Sequence, residues 1–278
     1  MATADPLNGV RQVTQNQSVE ALVRIADDGR PTPWIAESWD YSADGRTLRV
    51  HLRPHVTFHD GSPVTAATVA ELLNRSLSEF MGHAFEDVER ISASRDNELE
   101  FALRHHSPFV LEALDIQLQS PGSNPTGTGP FQPAGPRSPT ELLANDRYYL
   151  KRPIIDRIAV STFPTVRAAW AEMLRDHLDM LYDVGTDALD SFERSNKIAV
   201  YTYVRPYQYA IIFNTQGATF RSAKIRQAID QAIDRDVIVR EGLNGHGIAS
   251  SGPIWPHHWA LGSAAKRQMF QPAVAART

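Results

Sequence analysis

Residues 34–61 alternate apolar and polar side chains and hold two Asp-Gly pairs, a combination that constrains the fold more than any other stretch. Trp39 and Tyr41 alternate with polar neighbours, and Leu48, Val50 and Leu52 alternate with Arg49, His51 and Arg53. A period of two puts one set of side chains on one face of a strand. Between the runs lies Asp44-Gly45, a pair that tolerates positive φ in a hairpin turn. The stretch predicts an antiparallel hairpin with one buried face. A second turn, His59-Asp60-Gly61-Ser62-Pro63, follows at once and feeds a helix.

That helix begins after Thr65, whose hydroxyl suits a cap, and places Val69, Leu72, Leu73, Leu77 and Phe80 on one face. Val88–Ser94 and Leu99–Leu103 read as a strand pair turning at Arg95-Asp96-Asn97. Ser107–Leu114 reads as a short helix with Pro in its first turn. Upstream, residues 1 to about 20 are polar and weakly patterned, and Val19–Ile25 either closes a helix or opens a strand. About half of residues 121–140 are Gly or Pro, so no regular element is expected there.

Beyond that break, Ile158–Phe163 reads as a strand, and Thr165 caps a helix aligning Val166, Ala169, Trp170, Met173 and Leu174. Asp187–Arg194 reads as a short helix, and Ile198–Val204 and Tyr207–Asn214 as strands. Phe220–Arg235 carries Ile225, Ala228, Ile229, Ala232 and Ile233 in a helical stripe. The tail from Leu261 to Thr278 has no strong pattern.

Several of these stretches match motifs in a fixed order. They are Pro33-Trp-Ile-Ala-Glu-Ser-Trp39, Asp44-Gly-Arg-Thr47, Leu52-Arg-Pro54, Phe58-His-Asp-Gly61, Gly127-Thr-Gly-Pro-Phe131, Asn145-Asp-Arg-Tyr-Tyr149, Arg152–Ile158, Ile225–Arg235 and Gly252-Pro-Ile-Trp-Pro256. The set closely resembles the family 5 solute-binding proteins of ABC importers, which bind oligopeptides, dipeptides and nickel. Matches run from about residue 21 to about residue 259. The resemblance implies an α/β fold of the periplasmic-binding-protein-like class, with mixed β-sheets, an inserted α+β lobe and an incomplete second domain. It divides the chain into 1–28 (start of domain I), 29–126 (inserted lobe), 127–212 (domain I continued) and 213–278 (beginning of domain II). The family's opening strand is not visible before residue 21. Tyr149 stands where Trp is usual, and His177 where a Gly usually stops a helix, which implies a conformational cost at His177.

Composition excludes other classes. The 278 residues, 42% hydrophobic and 22% charged, are those of a globular protein with a real core. A formal net charge of -4 argues against nucleic acid or an anionic membrane as partner. No run is long enough to span a bilayer. With no Cys, neither a disulfide framework nor a thiolate metal site is available. The first residues lack a basic-then-apolar signal pattern, so localisation, periplasmic or cell-surface, comes from the resemblance, with a cytoplasmic protein as the alternative.

No nucleophile elbow, Walker loop, zincin helix or dinucleotide fingerprint is present. The expectation is therefore a protein that is not an enzyme and holds neither cofactor nor metal. His51, His55 and His59 have helical spacing inside a strand-and-turn segment, so their rings are not expected to converge. His257-His258 lacks a third ligand. Asp183, Asp187 and Asp190 fit capping better than paired acid–base work.

By resemblance, ligand-facing positions are His83 and Phe85, Gln117 and Gln119, and Tyr207, Tyr209 and Asn214. Nickel-type members place basic residues near Gly82 and Gln117, and this chain has Gly and Gln there, which weakens an anionic metal chelate as ligand. The implied function is solute capture for an ABC importer by closure of two domains, with an oligopeptide as the leading ligand and a metal chelate or other solute as the alternative. ABC permease subunits are the implied partners. With the second domain incomplete, weak ligand binding by this chain, or none, is expected. Two further readings stay open, a sensor domain of a cytoplasmic regulator and a non-transport interaction module.

Overall fold

The computed structural model describes residues 2–3, 8–135, 140–182, 192–203, 208–250, 252, 254–261 and 270–277. The chain divides into two compact units. One comprises residues 1–26 and 31–183, the other residues 27–30 and 184–278.

The first unit is organised around a four-stranded antiparallel sheet in the order β5-β6-β8-β7. Its strands are β5 (Ala36–Tyr41), β6 (Thr47–Leu52), β7 (Val88–Arg95) and β8 (Glu98–Leu103). Both hairpins expected from the sequence are present. Tyr41 pairs with Leu48, and Gly45, at φ 68°, closes the connection with its N–H on the Ser42 carbonyl at 2.8 Å. That backbone region is open to glycine at little cost. Along β6, Leu48, Val50 and Leu52 are buried while Thr47, Arg49 and His51 are not, as a two-residue period requires.

Helix α2 (Ala66–Met81) covers the apolar face of this sheet. Thr65 Oγ1 accepts the Thr68 N–H at 3.2 Å, satisfying one of the orphan donors of the first turn. Ala66, Val69, Ala70, Leu73 and Leu77 are buried. Phe80 departs from the expected stripe and is 59% exposed. The last turn of α2 faces helix α3 (Pro108–Ala113) and the following 3-10 turn (Gly82–Asp87) rather than the sheet. One continuous apolar cluster runs from Leu22 to Leu118 and includes Phe58, Phe101, Leu99 and Leu114. Full burial of each large side chain contributes roughly 1.5–3 kcal/mol.

Around this core lie shorter elements. Helix α1 (Asn8–Ser18) precedes β2 (Glu20–Ala21) and β3 (Val23–Ile25), so Val19 is the joint between a helix and a strand. A short strand that the sequence does not signal, β1 (Ala2–Thr3), lies parallel to β13 (Ser161–Thr162). β2 pairs with β9 (Gln117–Leu118), and β3 with β4 (Pro31–Pro33).

The Gly/Pro-rich break does hold a regular element. β10 (Phe131–Pro133) is an edge strand on β11 (Glu141–Ala144), which pairs in turn with β12 (Arg157–Ala159). Proline is tolerated at an edge because no ladder donor is lost. The strand expected over 158–163 is split at Val160, so β12 and β13 join different sheets. Helix α4 (Val166–Met173) is capped by Thr165, whose Oγ1 accepts the Ala168 N–H at 3.1 Å. The left-handed residue after it is Asp176, at φ 59°, not His177. This lets the His177 N–H reach the Glu172 carbonyl at 3.0 Å.

In the second unit the helix expected over 220–235 is broken. α5 (Ala218–Arg221) and α6 (Ala223–Ala232) are separated by Ser222, and Ile233 is extended. Asp234 then starts a new turn by accepting the N–H groups of Asp236 and Val237. The strands expected at 198–204 and 207–214 do not form over residues 198–203 and 208–214. No pairing strand lies beside them among the described residues, and Tyr209 and Ile212 are each 93% exposed. Val204, Tyr207 and most of the helix expected at Asp187–Arg194 fall outside the described residues.

Candidate functional site

A dense polar arrangement among the described residues of the first unit is built on Glu20, a single carboxylate in the apolar run Val19–Val23. Glu20 is 1% exposed. Its Oε1 accepts from Trp34 Nε1–H at 2.5 Å, the Tyr148 hydroxyl at 2.7 Å and the Tyr149 hydroxyl at 3.3 Å. Its Oε2 accepts from the Thr128 hydroxyl at 2.9 Å. Burying a carboxylate is costly unless its lone pairs are filled, and these four donors fill them. Burial nonetheless holds the Glu20 carboxyl above its ordinary range, against the opposing pull of the four hydrogen bonds. Burial, followed by the effect of Glu20, also raises both tyrosine hydroxyls.

The donors come from three distant motifs, and close backbone packing brings them in. A Cβ at Gly127 would lie 1.9 Å from the Ser18 carbonyl oxygen, so only glycine fits against the end of α1. Thr128, between two glycines, is thereby aimed at Glu20. The Gly129 N–H donates to the same Ser18 carbonyl at 3.0 Å. Asn145, buried, donates its Nδ2–H to the Gly129 carbonyl at 3.1 Å, and its Oδ1 accepts the Arg147 N–H at 3.0 Å, turning the chain so that Tyr148 and Tyr149 follow. His59 docks on the same loop. Its N–H donates to the Gly127 carbonyl at 2.8 Å, and its Nε2 lies 3.0 Å from the Gly129 carbonyl. A carbonyl only accepts, so Nε2 carries the proton. Nδ1 is then a buried acceptor without a partner among the described residues. Burial lowers the His59 pKa below its ordinary value.

This node was missed in the sequence. Its one signal there is a lone carboxylate flanked by Val19, Ala21, Leu22 and Val23, a setting in which an acid needs several donors.

The seven positions expected to face ligand are dispersed. His83 is fully exposed at the 3-10 turn and pairs with Glu86 at 3.2 Å. Phe85, on the same turn, packs partly against the main core. Gln117 is exposed on β9, and Gln119 is half-buried just beyond it. Leu118 between them is buried. In the second unit, Tyr209 is exposed and the Asn214 Oδ1 accepts the Gln216 N–H at 3.1 Å, a local turn contact. Tyr207 lies outside the described residues.

The three histidines of the opening stretch go to different partners. His51 lies between Asp40 at 3.2 Å and Glu98 at 3.4 Å, His59 faces Gly129, and His55 is exposed at φ 63°. Among the described residues no group of three or more His, Asp or Glu side chains is arranged to hold a metal ion. Asp183, Asp187 and Asp190 lie outside the described residues.

A model of the bacterial extracellular solute-binding proteins, family 5 Middle, matches residues 30–277. The chain belongs to this family. The nickel-binding periplasmic protein of Escherichia coli K12 is 28% identical over 258 residues, covering 83% of this chain and 49% of that protein. The oligopeptide-binding protein AppA of Bacillus subtilis 168 is 26% identical over 250 residues, covering 81% and 46% respectively. The chain thus spans about half the length of the curated relatives it matches.

Solved structures show the same fold. AppA from Bacillus subtilis, in complex with a nonapeptide, superposes with a TM-score of 0.76 at 23% identity, over 98% of this chain and 59% of that one. NikZ from Campylobacter jejuni, in complex with Ni(L-His), gives 0.75 at 24% identity, over 94% and 57%. Family members are named as binding proteins, several of them periplasmic. Among the described residues no helix is long and apolar enough to cross a membrane.

Proposed function

We propose that this chain supplies part of the solute-binding component of an ABC-type importer, capturing a small ligand, with an oligopeptide as the leading class. The family match over residues 30–277 carries the reading. Relatives are named for oligopeptide, dipeptide, glutathione, nickel and heme, so what they share is reversible capture of a solute and not one chemistry. Capture acts by preferring a closed over an open arrangement, and no bond is made or broken. ABC permease subunits receive the loaded protein outside the cytoplasmic membrane. Within this reading residues 29–126 form an inserted lobe and residues 213–278 open the second domain. His83, Phe85, Gln117, Gln119, Tyr207, Tyr209 and Asn214 are its candidate ligand-facing positions.

The full chain is to be titrated with di- to pentapeptides, histidine-chelated nickel, glutathione and heme, by thermal shift and calorimetry. Binding of peptide is expected to be weak and, where it saturates, to raise the melting temperature as free ligand exceeds Kd. No response from any ligand at saturating concentration overturns solute capture by this chain alone. Micromolar peptide affinity overturns only the expectation of weak binding.

A further inference from the structure

The end of α2, the 3-10 turn and α3 leave an open groove on the first unit. Its lining is Phe80, Met81, Ala84, Phe109, Glu112 and Ala113, and its volume is about 260 Å³. Phe80 and Phe109 stand 59% and 62% exposed on either side. Two half-exposed phenylalanines facing one notch are more than the scattered apolar residues of an ordinary surface. The alanines keep the floor low. The volume falls below the roughly 300–1,000 Å³ of clefts that enclose small molecules, and suits one or two side chains of a docked segment.

Charge identifies the occupant. Residues 76–89 and 105–116, which form the groove and its margins, contain Glu79, Glu86, Asp87, Glu89, Glu112 and Asp115; Arg75, Arg90 and Arg104 adjoin the ends of these ranges and Arg24 acts on Asp115, which leaves Glu112 as the charge inside the lining. Glu86 and Asp87 are faced by His83 and His105. The Glu112 carboxylate, inside the lining, has no ion-pair or hydrogen-bond partner among the described residues. A carboxylate beside two aromatic walls favours a cation carried on an apolar stem.

We propose that this groove docks a basic amphipathic segment of a partner polypeptide. An aliphatic or aromatic side chain fills the space between Phe80 and Phe109, and a Lys or Arg on the same face meets Glu112. This is helix-in-groove recognition, in which anchors recur at i, i+3 and i+4. Its lining holds none of the positions assigned above to ligand, although His83 and Phe85 flank Ala84 at its margin.

The probes are two fluorescent helical peptides, one of Leu and Lys with leucines at that spacing, the other with Glu for Lys. Fluorescence anisotropy on the full chain is expected to show saturable binding of the Lys peptide and none of the Glu peptide. Phe80→Ser with Phe109→Ser weakens the Lys peptide at least about tenfold, as loss of an anchor pair does. Glu112→Gln weakens it about threefold and flattens its salt dependence. Because these side chains lie outside the core, melting temperatures stay at the parent value and separate lost docking from lost folding. Equal affinity of parent and double variant, or equal binding of both peptides, overturns the proposal. A dimer by light scattering that dissociates in the double variant also overturns it, since the face then pairs two copies of this chain.

Discussion

The two units carry the same kind of sequence pattern with opposite outcomes. In the first, the alternation of β6 and the stripe of α2 end inside one buried cluster from Leu22 to Leu118. In the second, Phe192 is the one buried hydrophobic side chain among the described residues. There Tyr201, Tyr203, Tyr209, Ile211, Ile212 and Ile225 are exposed although their spacing is as regular. A pattern states that a face is to be covered and says nothing about what covers it. In the first unit the cover is another stretch of the same chain. In the second no cover lies among the described residues, and the relatives are about twice as long.

The difference breaks most visibly under truncation. Phe101→Ala removes a fully buried ring at the centre of the sheet and is expected to cost about 3–5 kcal/mol in chemical denaturation. Ile212→Ser, in the second unit, is expected to stay within about 0.5 kcal/mol. A loss at Ile212 as large as that at Phe101 would erase the contrast.

Next in size is Gly127→Ala. Its methyl would meet the Ser18 carbonyl, which belongs to backbone and cannot swing away, so about 3 kcal/mol is expected. If the variant melts with the parent, the close approach does not define the node. Glu20→Ala strands the donors of Trp34, Thr128, Tyr148 and Tyr149 and is expected to cost about 2–3 kcal/mol. Glu20→Gln keeps an acceptor and is expected to cost about 1 kcal/mol. The order of the two variants, read from denaturation midpoints, tests whether acceptor capacity is what Glu20 provides.

The smallest effect is in pH. The folded-state pKa of His59 is lowered, so the unfolded chain binds its proton more readily. Its contribution is present above about pH 6.5 and is lost as pH falls through the folded value. His59→Asn should flatten that part of the melting-temperature profile. An unchanged slope would show that His59 does not titrate on unfolding.

What was legible in the sequence follows from the range of the contacts. The β5–β6 and β7–β8 hairpins, the Thr65 and Thr165 caps and the Pro at the start of α3 are signalled within a few residues. The motif set that indicated the family was legible too, but not that Trp34, Thr128, Tyr148 and Tyr149, from three of its motifs, converge on Glu20. Those hydrogen bonds span 14, 108, 128 and 129 residues, beyond any local pattern. Phe80 shows the same limit, because its helical spacing is regular while the sheet beneath it is not continued. Residues 208–214 fail as a strand for want of a neighbour among the described residues and not of propensity, since a strand exists by pairing.

Hydrogen exchange of the full chain tests this contrast most directly. Amides of Thr47–Leu52 and Glu98–Leu103, paired in the central sheet, should exchange only through global unfolding, while those of 208–214 should exchange at nearly the rate of an open chain. Comparable protection of 208–214 and the central strands would contradict the account, because those backbone groups would then have partners and the second unit a covered core.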